Sequence, residues 1–134
     1  MLALLFVTHF VADFLLQSRE MGKKKSSEPA FLAFHLLIQF FSFWFVLWAT
    51  TNVQLAFVFA LSNAAIHGII DWNIWRLYKL YAYKAIAKNP QHPLLTGNPT
   101  EPWKYWEDHW FYSTIGLDQL LHGLTLIGLA ALLL

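Results

Sequence analysis

The chain has 134 residues, enough for one domain, and a formal net charge of +1. Hydrophobic residues make up 57% and charged residues only 13%, about half the charged share usual in soluble proteins. The near-neutral balance argues against a nucleic-acid partner, and the lack of cysteine excludes disulfides and thiolate ligands, leaving any metal to imidazole and carboxylate.

Four apolar runs follow one another. The first, residues 2–17, is interrupted by Thr8, His9 and Asp13. It has no basic segment before it and no small-residue cleavage site after it, so it reads as a retained helix and not as a signal peptide. Residues 18–29 are polar and basic, and Pro29 suits the first position of a second helix at 30–49. Thr50–Asn52 is a short uncharged turn, which makes the second and third helices an antiparallel hairpin. The third helix covers 53–75 and continues to about 88 as a segment of alternating Lys and Tyr, a pattern suited to a membrane interface. Residues 89–102 hold four of the five prolines and read as a loop. Trp103, Trp106 and Trp110 form an aromatic belt before the fourth helix at 111–134. Runs two to four approach or exceed the roughly 20 residues that cross a bilayer.

All nine Lys and Arg lie within 18–29 and 76–110. The positive-inside rule places both basic connections in the cytoplasm and both termini outside. The predicted fold is therefore all-α: a four-transmembrane-helix antiparallel bundle with one amphipathic cytoplasmic segment, forming a single integral membrane domain over 1–134. A soluble bundle is disfavoured, because its helices would be apolar nearly all round.

The ionisable residues inside these runs carry the functional signal. His9 and Asp13, His67 and Asp71, and Asp118 and His122 are each spaced i, i+4; His35 has Gln39 at the same spacing. That spacing puts both members of a pair on one helix face. Charged groups in apolar helices are costly and mark a functional site by default. The first and third helices run outward to inward and the fourth inward to outward, so the reversed order Asp118–His122 stacks aspartate with aspartate and histidine with histidine. At 1.5 Å rise per residue all seven side chains fall in one layer, about 6–16 Å from the cytoplasmic helix ends.

Three carboxylates in such a layer need cations. No Lys or Arg lies within the four runs, so protonated histidine or a metal must supply the charge. Neutral imidazole with carboxylate suits Zn, Fe or Mn. Seven candidate ligands, His9, Asp13, His35, His67, Asp71, Asp118 and His122, exceed a single zinc's needs and suit one or two divalent ions with a bridging group. The competing reading is a hydrogen-bonded His–Asp network that holds the bundle together. Gln17, Gln39, Gln119 and Asn63 accompany the cluster as orienting partners or as hydrogen-bond glue between helices. Gly68, Gly116, Gly123 and Gly128 suit close helix packing, and Gly68 and Gly123 could alternatively leave space for substrate. Lys23–Lys25 suit contact with anionic headgroups. His109 reads as solvated at the interface, and His92 as uninvolved.

The segments HFVADFLLQ at 9–17, HGIIDW at 67–72 and LDQLLH at 117–122 resemble domain-of-unknown-function family 3307, small polytopic membrane proteins of bacteria and phages. The resemblance covers nearly the whole chain. It implies a multi-helix protein of the bacterial inner (plasma) membrane and brings no established activity. The leading functional expectation is a metal-dependent hydrolase acting from the cytoplasmic side on a lipid-linked or membrane-near ester or phosphoester, with Asp13, Asp71 and Asp118 as candidate catalytic carboxylates. Membrane lipids are the expected partners, with no nucleic acid. The alternatives are a proton or divalent-cation transporter subunit, a structural His–Asp network, and a bis-histidine haem protein, which would leave the aspartates unexplained.

Overall fold

The structure, a computed structural model, describes residues 1–88 and 109–134, the side chains of 82, 83 and 85–88 excepted. The Pro-rich stretch, His92, Trp103 and Trp106 lie outside the described residues. Helix α1 (Leu2–Phe10) runs without a break into a π turn, Val11–Leu15. Short helix α2 (Arg19–Lys24) follows, then α3 (Pro29–Trp48), α4 (Val53–Lys88) and α5 (His109–Leu133). No strand occurs among the described residues.

Local chemistry accounts for most of these boundaries. Pro29 starts α3, where its missing N–H is not needed. Ser18 caps α2: its Oγ accepts the Met21 N–H at 3.1 Å. Asn52 ends the 50–52 turn and its Oδ1 accepts the Leu55 N–H at 2.9 Å, fixing the first turn of α4. α4 then continues unbroken for 36 residues. Two features differ from the sequence expectation. The basic connection contains a helix, and the first helix closes with an i→i+5 turn, in which the Leu16 N–H reaches Val11 O at 2.9 Å.

Three helical stretches are long and apolar enough to cross a membrane: Pro29–Trp48, Val53–Tyr81 and His109–Leu133. The first apolar stretch, Leu2–Leu15, is shorter, so the length criterion supports three spans where the sequence suggested four. The distribution of side chains reverses that of a soluble protein. Phe34, Phe41, Phe45, Leu120 and Leu124 are exposed, whereas His35, Gln39, Asn63, His67, Asp71, Asp118 and His122 are buried. Such a surface suits a lipid surrounding.

α3 packs on α4, α4 on α5, and α1 against both α3 and α5. Toward the 50–52 turn these contacts form one apolar core of Leu5, Phe43, Leu47, Ala56, Phe59, Ala60, Leu126 and Leu129. Toward the basic segments lies the polar layer. Close approach of the helices depends on glycine at two points. A Cβ on Gly68 would fall 2.8 Å from Leu36 Cδ1, and one on Gly123 would fall 3.3 Å from Phe6 Cε1. The space beside these glycines is thus filled by Leu36 and Phe6 and is not kept for a substrate. Gly116 and Gly128 face open space, so the packing role expected of them is not seen.

Asn52→Ala removes the cap that joins α3 and α4. It should destabilise the protein by about 1 kcal/mol, measurable as a shift in reversible unfolding in mixed micelles. Thr51→Ala, whose Oγ1 donates to the Leu47 carbonyl at 2.8 Å and to that of Asn52 at 3.4 Å and caps no N–H of α4, should cost less.

Candidate metal centre

The polar layer is built one helix at a time. α4 presents His67 and Asp71 on one face, and α5 presents Asp118 and His122 in the reverse order. α3 presents His35 and, one turn outward, Gln39. On the first helix the π turn intervenes between His9 and Asp13. An i→i+5 turn widens the helix and shifts the residues after it around the axis, and Asp13 is buried at the level of Asp71. π turns of this sort recur at functional sites. All seven expected residues are no more than 5% exposed, and their side chains meet in one place.

Four of them share a centre. His35 Nε2 lies 2.9 Å from His67 Nε2, 3.1 Å from Asp13 Oδ1 and 3.3 Å from Asp71 Oδ2. His67 Nε2 lies 3.1 Å from Asp71 Oδ2 and 3.7 Å from Asp13 Oδ1. Donors placed about 2.0 Å from a tetrahedral ion are spaced about 3.3 Å from one another. The set of two imidazoles and two carboxylates therefore has the size and chemistry of a zinc-like position. An imidazole Nε2 carries at most one proton, yet that of His35 faces His67, Asp13 and Asp71 together.

A second group, Asp71, Asp118 and His122, also brings its donor atoms within 4.8 Å of one another. His122 Nε2 is 3.7 Å from Asp71 Oδ1 and 3.7 Å from Asp118 Oδ1. Asp71 thus offers Oδ2 to the first group and Oδ1 to the second.

Gln119 orders both groups. Its Nε2 donates to Asp13 Oδ2 at 3.0 Å and to Asp118 Oδ2 at 3.2 Å. This ties down one oxygen of each aspartate and leaves each Oδ1 facing the histidines. Its Oε1 lies 3.3 Å from His9 Nε2. His9 belongs to neither donor group: it packs against His122 and His67 at ring-centroid distances of 5.0 and 5.4 Å. Among the described residues, fully buried Gln39 has no partner for either of its amide atoms, and buried Asn63 has none for its amide nitrogen. His109 is exposed at the start of α5.

The main surprise is Lys25. The sequence assigns it, with Lys23 and Lys24, to lipid headgroups. In the structure its Nζ enters the layer, 3.1 Å from Asp13 Oδ1, 3.0 Å from Asp71 Oδ2 and 3.4 Å from His35 Nε2. It covers the Asp13–His35–Asp71 face of the four-donor group. Burial alone would lower the pKa of this ammonium, but the carboxylates of Asp71 and Asp13 outweigh that and hold it above the ordinary lysine range. Ser26, the next residue, is clipped to α4. Arg76 Nε donates to its carbonyl at 3.0 Å, and Lys79 Nζ donates to its Oγ at 2.8 Å. Nothing local separates Lys25 from its two lysine neighbours. The usable sequence signal was the unbalanced charge of three carboxylates.

Lys25→Met should be strongly destabilising, by about 3–5 kcal/mol, because it leaves buried carboxylates without their ammonium. Lys24→Met should change stability by no more than about 0.5 kcal/mol, since Lys24 pairs with Glu20 and Glu28 on an exposed surface. Thermal unfolding of the two variants in detergent measures the contrast. Equal effects would mean that Lys25 has no special role in the layer.

Neither a curated protein nor a solved structure matches the chain. One family model, described as a protein of unknown function (DUF3307), matches residues 1–134, and the chain belongs to that family.

Proposed function

We propose that the protein is an integral membrane metalloenzyme that hydrolyses a lipid-linked or membrane-near ester or phosphoester from the cytoplasmic side. The observation that carries this reading is the four-donor set of Asp13, His35, His67 and Asp71 at the spacing of a tetrahedral transition metal. Zn, Fe or Mn fits neutral imidazole with carboxylate. The first helix crosses as a short fourth span, so that the basic connections lie in the cytoplasm and the 50–52 turn outside.

In the reaction, water adds to the carbonyl carbon or phosphorus and the bond to the alkoxide breaks. One proton of the water passes to the leaving oxygen and the other to a site carboxylate. A metal held in the layer would supply the acidity, lowering the pKa of such a water and polarising the acceptor. Asp118 and His122 face the other Asp71 oxygen and are the groups available to hold the water. Access requires Lys25 and the 18–28 segment to withdraw, because these cover the layer on the basic side. The apolar core from Leu5 to Leu129 closes the opposite side. That asymmetry supports a one-sided enzyme over a transporter.

Two measurements test the proposal. Purified protein should hold a first-row transition metal, and His67→Ala and Asp71→Ala should each weaken its binding at least about tenfold. Wild-type protein that binds none would leave only a structural His–Asp–Lys network. Cysteine at Lys24 should be labelled from the cytoplasm and cysteine at Thr50 from outside; the reverse would overturn the topology.

A further inference from the structure

We infer that the layer holds a second cation position, formed by Asp71 Oδ1, Asp118 Oδ1 and His122 Nε2, and that this is the position where water binds. The inference rests on the metalloenzyme reading and specifies its active centre.

The four-donor position is saturated by protein. Tetrahedral sites of that kind are closed, whereas a catalytic ion keeps one place for water beside three protein ligands. The second group has three donors, so an ion there would have its fourth place open. Its atoms are also loosely held: among the described residues Asp71 Oδ1, Asp118 Oδ1 and His122 Nε2 make no hydrogen bond, and the imidazole stands 3.7 Å from each carboxylate oxygen. The residues that own them are 0%, 3% and 2% exposed. Buried polar atoms without partners are uncommon and call for a ligand.

The imidazoles give independent support. The rings of His67 and His122 are stacked, with centroids 3.9 Å apart and planes 20° from parallel. Each turns its Nε2 to a different oxygen of Asp71: His67 to Oδ2 at 3.1 Å, His122 to Oδ1 at 3.7 Å. Imidazoles that address the two oxygens of one carboxylate leave room for two ions about 3.5–4 Å apart, each taking one of those oxygens. Gln119 contributes by holding Asp118 Oδ2, so that Oδ1 alone faces this position.

Charge links the second ion to Lys25. Asp13, Asp71 and Asp118 carry three negative charges, which one divalent ion and the Lys25 ammonium balance. Two divalent ions with one hydroxide between them also balance three carboxylates, but then without Lys25. The Lys25 ammonium, which stands against the four-donor group, thus balances a charge that a second cation would otherwise carry, without filling that cation's position.

Mn²⁺ is a suitable probe, because spin coupling reports a pair of ions directly. Full-length protein in nanodiscs, saturated with Mn²⁺ and desalted, should retain about two ions per chain. Its electron paramagnetic resonance spectrum should show an exchange-coupled pair. Asp118→Asn and His122→Gln should each retain about one ion and give an uncoupled six-line signal. Lys25→Met should bind the second Mn²⁺ more tightly than wild type. A wild-type protein that holds one uncoupled ion would overturn the second position and leave the four-donor site standing. A wild-type protein that holds none would overturn both. The wild-type spectrum decides the matter without a variant, so poor folding of a substituted chain does not blunt the test.

Discussion

Three carboxylates buried among apolar helices are the constraint on which the rest of the structure depends. An unpaired carboxylate in such a place costs several kcal/mol. The fold answers by bringing positive and hydrogen-bonding groups to the same depth. Four imidazoles come from four helices, Gln119 spans two of the aspartates, and Lys25 enters from a segment that would otherwise lie on the surface. The π turn in the first helix and the folding back of residues 18–28 both serve this assembly. Neither follows from burying apolar area.

The layer has different boundaries on its two sides. One is dry and tightly packed, formed by Phe43, Phe59, Leu47 and their neighbours. The other consists of a single side chain and a short hydrogen-bonded strap: Lys25, Ser26, Arg76 and Lys79. The first is hard to open, because separating it would expose large apolar residues to water or a polar solute. The second is held by a few polar contacts that water can replace. The two faces of the layer thus differ in the kind of bonding that closes them.

Much of this was legible in the chain itself. The i, i+4 pairs and the reversed order in α5 were enough to place histidine against histidine, and the stacking of His67 on His122 bears that out. The four helical runs, the 50–52 turn and the extension of α4 followed from hydropathy, Pro29 and the turn residues. What escaped was non-local. Lys25 resembles its neighbours in composition, and its role is set by where Asp13 and Asp71 are after folding. The π turn leaves no mark in Val11–Leu15, because the preference for Asp13 at the right level is a tertiary demand. His9 keeps its pairing with Asp13 at 3.9 Å, but its nearer polar neighbour is Gln119, and it lies outside both donor groups.

α4 combines two roles that are usually separate. Its middle carries His67 and Asp71, and its continuation carries Arg76 and Lys79, which hold Ser26. At about 1.5 Å per residue its 36 residues make a rod of about 54 Å, well beyond a hydrocarbon core of about 30 Å. Arg76 is further stiffened by stacking on Trp72, 3.6 Å from the ring centroid. Asp71 and the residues that hold Ser26 therefore sit on one continuous helix, so the depth at which Lys25 enters the layer is set within a single rigid element.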